Sequence, residues 1–295
     1  MAVAAAAGVV VVLFMALPFF VESAPRAYRL KAGNAAPLLF QHSSGHPQAL
    51  RENAIKMIEE HPLMYLMSRT FMDREGKTIH RSGGGTLQNG EQMEEAIKEQ
   101  IYQNESIRRG VAVNGAIDVA RLKINASHHI DDDVLRQLLQ YSPFVPNELV
   151  RTFSRGFTHF FRGDFISAVY ILTPLLENSL RHVLRQHGHD VSIFADATQT
   201  QEDRTISSLF EQMRSEIEQI FGPATTSDLE RVFLHKPGPH LRHAVAHGLL
   251  SDGDPSGSDA IYACWVIFRL CMLPIIPNRK QVAEWLLGTE LVRAI

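Results

Sequence analysis

The sequence predicts a mainly α protein, a helical bundle with a helical N-terminal region. Three observations carry that class. Apolar residues recur at three- and four-residue spacing through one segment after another. Several of these segments are bracketed by a capping Asp or Pro at the start and a Gly at the end. Strand signals are sparse, and the clearest is a short candidate hairpin from Thr70 to His80 with "DREG" as its turn. The composition is that of an ordinary globular chain: 295 residues, 45% hydrophobic and 21% charged, enough for one large core or two smaller ones. A formal net charge of -3 excludes a global positive field, so any contact with a polyanion must come from a local patch.

From the N-terminus, residues 2–21 carry no charge and are long enough to span a membrane. No Lys or Arg precedes them, and Pro18 with the Ala-rich stretch also suits a buried helix, so residues 1–25 read as a buried helix or a membrane anchor, with a signal peptide as a third reading. Residues 24–48 read as a linker. "PQALRENAIKMIEEHPLMYLM" has helical spacing through Leu50, Ile55, Ile58 and Met64. "RSGGGTLQNG" is a flexible loop without the Gly-Lys-Ser/Thr ending of a phosphate loop. The run from Glu91 to Ile124 reads as one or two amphipathic helices. The sequons at Asn104 and Asn125 read as chance matches. In "SHHIDDDVLRQLLQ" the acidic run is better suited to capping the next helix through Asp131 or Asp132 than to holding a metal.

Beyond Tyr141 the pattern sharpens. "NELVRTFSRGFTHFFRGDFISAVYILTPLLENSLRHVLRQHG" predicts two helices in series, with Asp164 capping the second, Pro174 kinking it and Gly188 ending it. "EDRTISSLFEQMRSEIEQIFG" predicts a third helix, "TSDLERVFLH" a fourth, and "PGPHLRHAVAHGLL" opens a fifth. "SDAIYACWVIFRLCMLPII" predicts a sixth, apolar nearly all round and better suited to a buried bundle helix than to a membrane span, since Asp259 and Arg269 lie within it. Its Cys264 and Cys271 share a face but stand too far apart for a disulfide, and read as buried apolar residues of an intracellular protein. "NRKQVAEWLLGTELVRAI" closes the chain as an amphipathic tail.

The chemistry concentrates in "HLRHAVAHGLL". On a helical wheel Arg242, His243, Ala246 and His247 share one arc, and Leu241, Ala244, Val245, Gly248 and Leu249 fill the other, with Pro239 in the first turn. A guanidinium that grips phosphate with two parallel hydrogen bonds thus sits beside imidazoles that exchange protons near neutral pH. RNA carries its own nucleophile in the 2′-hydroxyl, so these groups suffice for strand cleavage without a metal. From spacing alone two other readings stay open. A His pair four apart is also a zinc spacing, although the metalloprotease form needs Glu after the first His, where this chain has Ala244. The same residues also make an ordinary solvated face. Glu177 and Arg181, four apart on the second long helix, can pair with each other, or Glu177 can orient Arg242; a partly buried ion pair fixing register reads equally well. A second match, Arg181, His182 and His187, reads as structural. Arg231, His235, Lys236 and His240 supply a local basic patch, diluted by Asp252, Asp254 and Asp259.

The order Arg242, polar His243, three residues, His247 resembles the Arg-polar-x3-His signature of the HEPN superfamily. "LTPLLENSLRHVLRQHG" followed at a distance by "GPHLRHAVAHGLL" is similar to the family called domain of unknown function 4209, which includes endoplasmic-reticulum-membrane-associated RNA-degradation proteins. The resemblance covers residues 141–275 well and reaches back loosely to residue 50. It implies an all-α HEPN-like bundle, RNA as partner, homodimerisation with two motifs facing each other, and metal-independent endoribonuclease activity with no cofactor. It assigns Arg242 to phosphate binding and His247 to proton transfer, with His243 at the polar position as third catalytic residue; the residues around the motif add Glu177 and Arg181 in support, and Arg231, Lys236 and His240 on phosphate or RNA. The alternative is a non-catalytic HEPN-like module that binds nucleotide or RNA or dimerises. The expected organisation is an apolar segment over 1–25, a mostly helical region over 26–140, the HEPN-like domain over 141–276 and the tail over 277–295. The expected location is the cytoplasm, with membrane association through residues 2–21 as the alternative.

Overall fold

The computed structural model describes residues 45–278 except 66–69, 73–75, 77, 82–89, 128–129, 196–199 and 237. The apolar segment 2–21, most of the Gly-rich loop and the tail beyond residue 278 lie outside the described residues.

The chain is mainly helical. α1 (Pro47–Glu60) starts with Pro where a missing N–H costs nothing, and His46 Nδ1 accepts from the Gln48 amide. A 3-10 turn, Pro62–Tyr65, follows. β1 (Thr70–Met72) and β2 (Thr78–Arg81) pair antiparallel, forming the expected hairpin, with Gly76 at φ 79°. α2 (Gly90–Ala112) passes through a π turn at Val113–Ile117 into α3 (Asp118–Ser127). α4 (Asp132–Leu139) is capped by Asp131, whose carboxylate accepts from the Val134 amide at 2.9 Å.

α5 (Val150–Arg162) ends at Gly163, whose φ of 83° is the left-handed geometry that terminates helices. Asp164 then accepts from the Ser167 amide at 3.1 Å and starts α6 (Phe165–Gln186), one helix that contains Pro174. α5 and α6 touch at Gly156, where an added Cβ would lie 2.6 Å from Leu172 Cδ2. The structure then departs from expectation. β3 (Ser192–Ala195) and β4 (Thr200–Asp203) form a second hairpin that the sparse strand signal did not reveal. The segment expected as one helix is two, α7 (Ile206–Gln212) and α8 (Arg214–Phe221), divided at Met213 where φ moves to -125°. α9 (Pro223–Phe233), α10 (Leu241–Ala246) and α11 (Ser258–Met272) complete the bundle, with a closing 3-10 turn at Leu273–Asn278.

α11 is the axis of the core. Tyr262, Trp265, Phe268 and both cysteines are fully buried. Phe157 and Phe161 of α5 meet Phe268 edge-on at 5.2 and 5.3 Å, the geometry ring quadrupoles favour. By length and hydropathy Ser258–Ile275 could cross a membrane, yet 72% of it is buried inside the protein, as a bundle-core helix requires. Burial also pushes both cysteine thiols well up, away from the reactive thiolate. The same core takes in Ala112, Ile117, Leu135 and Leu139, so it crosses the boundary expected at residue 140: α3 and α4 pack with the C-terminal helices. A second, small cluster of Ala54, Ile58, Tyr65, Ala96 and Ile97 joins α1 to the first half of α2.

Candidate functional site

α10 packs on α6 and α9 and brings the sequence motif to the surface. The helix is shorter than the helical wheel supposed. It runs for six residues, so His247 is its C-cap, and Gly248 and Leu249 lie beyond it. Gly248 at φ 63° closes it: the Gly248 amide donates to Val245 O, and the Leu249 amide to Ala244 O at 2.8 Å, the paired bonds of a Schellman motif. Leu241 and Val245 are buried as expected, but Leu249 is 62% exposed because the chain has already left the helix. Pro239 falls before the helix instead of in its first turn.

The N-cap is His240, at φ 47° and ψ 41° the one residue other than glycine with positive φ among the described residues. A β-carbon in this conformation costs about 1–2 kcal/mol, and such strain gathers at functional positions. The preceding loop explains how it is imposed. Gly238 lies so close to the carbonyls of Arg231 and His235 that a Cβ would approach them to 2.7 and 2.9 Å. The loop is thus folded tightly against the end of α9 before it reaches His240.

The three imidazoles form a stack. His240 and His243 are 4.8 Å apart and nearly parallel, at 13°, and His243 and His247 are 4.4 Å apart at 48°. Ring nitrogens bind through lone pairs in the ring plane, so stacked rings do not converge on one ion; among the described residues no group of three His, Cys, Asp or Glu is placed to hold a metal. Burial first, then the charges of His243, Lys236 and Arg242, pull His240 down to about 4. His243 is lowered by desolvation first and then by His247, Lys236 and Arg242. Both shifts favour the neutral form of these two rings.

Arg242 reaches across to α6. Its Nε lies 3.4 Å from Glu177 Oε2, and the other carboxylate oxygen accepts from Arg181 Nη1 at 2.8 Å. Glu177 makes both contacts that its sequence position allowed. Arg181 is held further by the Arg204 carbonyl at 2.9 Å and lies 3.5 Å from Asp203 of β4, so the second hairpin braces the site from behind. Arg242 stays 35% exposed while Glu177 is 16% exposed: the carboxylate anchors the Nε edge and leaves the guanidinium partly open to solvent. Of the second sequence match, His182 meets Gln186 and His187 meets the Val183 carbonyl, both local helix contacts.

The basic patch is smaller than expected. Lys236 and His240 belong to the cluster, where the Lys236 charge helps to lower His240. Arg231 does not. Its side chain is 13% exposed, donates to Ser227 Oγ at 2.5 Å and faces buried Glu105 at 3.9 Å. It points into the protein because the apolar face of α9 turns that way. His235 pairs with Glu230 at 3.2 Å. Two acids expected to dilute the patch are engaged elsewhere, Asp254 with the amide and hydroxyl of Ser251 and Asp259 with Arg109. The chief polar assembly that the sequence did not reveal is that of Arg108, Arg109, Asp228 and Tyr262; two arginines in succession within "SIRRGVA" were its signal.

No family model, curated protein or solved structure matches the chain.

Proposed function

We propose that the chain is a HEPN-like RNA-binding protein that cleaves RNA without a metal. The observation that carries the reading is the Glu177–Arg242 ion pair at 3.4 Å beside the His240–His243–His247 stack. It sets an oriented, partly exposed guanidinium next to imidazoles, the two functions phosphate transfer needs.

In the proposed reaction Arg242 binds the scissile phosphate and offsets the charge that builds on it. His247 takes the proton from the 2′-hydroxyl as that oxygen bonds to phosphorus. The bond to the 5′-oxygen breaks, and a protonated imidazole from the facing copy in a dimer returns a proton to it, with His243 lining the same site. The products are a 2′,3′-cyclic phosphate and a 5′-hydroxyl. Lys236 and His240 extend the contact along the strand.

The test is incubation of labelled tRNA and structured RNA with the protein in EDTA, beside the double variant Arg242→Ala, His247→Ala. Cleavage with cyclic-phosphate ends that the double variant loses is the expected result. Equal cleavage by both proteins sinks the assignment. RNA binding without cleavage, weakened by the substitutions, would make the site a binding module instead.

A further inference from the structure

A second group of charges lies buried between α2, α9 and α11, apart from the α10 site. Arg108 and Arg109 of α2, Arg231 of α9 and Arg269 of α11 bring four guanidiniums together with three carboxylates, Glu105, Asp228 and Asp259. Arg108 is well matched: Nε donates to both oxygens of Glu105 at 3.0 Å, and Nη2 reaches the Tyr262 hydroxyl at 3.0 Å and Asp228 at 3.4 Å. The Tyr262 hydroxyl donates in turn to Asp228 at 2.6 Å.

Arg109 is different. It is fully buried, and its Nε donates to Asp259. Its Nη1 and Nη2 are also buried, and neither meets an acceptor among the described residues. Together they carry four N–H donors in a fixed fork. Arg108 Nη1 and Arg269 Nε are buried without acceptors as well. Native proteins rarely leave buried donors unmet, and a buried cation calls for a compensating anion.

We propose that Nη1 and Nη2 of Arg109 hold one small inorganic anion, a halide or an oxyanion, within this cluster. The fork geometry presents two donors side by side to a single acceptor, and Arg108 and Arg231 add to the positive field. Burial of every donor limits the ligand to an ion that the bundle can enclose, so a nucleotide or an RNA phosphate does not fit. The site shares no residue with α10 or α6, and it stands or falls separately from RNA cleavage.

Thermal unfolding of the full chain tests it. Gluconate, too bulky to be enclosed, is replaced by chloride or by inorganic phosphate at constant ionic strength. One of the two should raise Tm by about 5 °C or more at a concentration roughly 100 times its Kd, and the one that does identifies the anion. Arg109→Met should abolish that rise. Asp259→Asn, which removes the competing carboxylate from Arg109, should shift the titration midpoint several-fold lower. A Tm that follows ionic strength alone, or an anion effect that persists in Arg109→Met, overturns the proposal and leaves the donors to buried water. Should Arg109→Met fail to fold, an unchanged midpoint in Asp259→Asn overturns it as well.

Discussion

Glu177 on α6 holds two arginines at once, Arg181 one turn along its own helix at 2.8 Å and Arg242 on α10 at 3.4 Å. The carboxylate thereby ties the short motif helix to the longest C-terminal helix, across 65 residues of sequence. Glu177→Ala leaves Arg181 under-compensated at 16% exposure and frees Arg242. The expected loss is about 1–3 kcal/mol of stability, read by denaturant unfolding. Under the proposed function, RNA cleavage should fall further than the fraction of folded protein does. Wild-type cleavage in a folded Glu177→Ala protein would show that Arg242 needs no anchor.

The packing of α5 on α6 gives a prediction independent of function. Gly156→Ala places a methyl 2.6 Å from Leu172 Cδ2 and 3.1 Å from Ile171 Cγ2. The helix propensity of Ala favours the change, but overpacking opposes it and wins, at about 1–3 kcal/mol. Urea unfolding should show a lower midpoint; a midpoint equal to wild type would mean that the helices separate without cost.

Asp228 sits 2% exposed between Arg108 and Tyr262. Asp228→Ala takes a buried acceptor from the Tyr262 hydroxyl and from Arg108, which keeps Glu105, and should cost about 1–3 kcal/mol. Arg108→Met removes the same contact from the other side, so the double variant should lose less than the sum of the two single losses. Additive losses in the double-mutant cycle would show that the two residues are not energetically coupled.

Stability should depend on pH through His240. Its folded pKa of about 4 lies below the ordinary histidine value near 6.5. Between these values the unfolded chain binds a proton that the folded chain does not. His240 therefore contributes full stability above about pH 6.5 and loses it as the pH falls toward 4. His240→Asn suits the left-handed backbone and cannot titrate, so its Tm should fall less than that of wild type between pH 6.5 and 4. Parallel Tm profiles would place the source of the acid sensitivity in other groups.

Local signals were legible at several helix ends where one residue decides the structure. Asp131 and Asp164 cap the helices their positions announced, and Gly188 carries the positive φ at which its helix was expected to end. The hairpin around Gly76 formed as its turn residues indicated. The second hairpin was missed because β4, Thr200–Asp203, is exposed throughout and has no buried face to impose an alternating pattern. The helix after it divides at Met213, where neither Gly nor Pro marks the break.

For the site, the sequence by itself determined which groups are present. It placed Arg242, His243 and His247 within one short helix and its cap, and Glu177 and Arg181 one turn apart, because intrahelical spacing follows from 3.6 residues per turn. Only the tertiary structure decided which of them meet. The contact of Arg242 with Glu177, the approach of His240 to the imidazole stack and the withdrawal of Arg231 into the interior all depend on how α6, α9 and α10 pack. The same holds for the fully buried Arg109, whose partner Asp259 lies 150 residues away. Hydrophobic burial sets that packing, and it acts on whole helix faces. A polar residue is carried to the surface or into the core by the face it shares, and its own chemistry does not announce which.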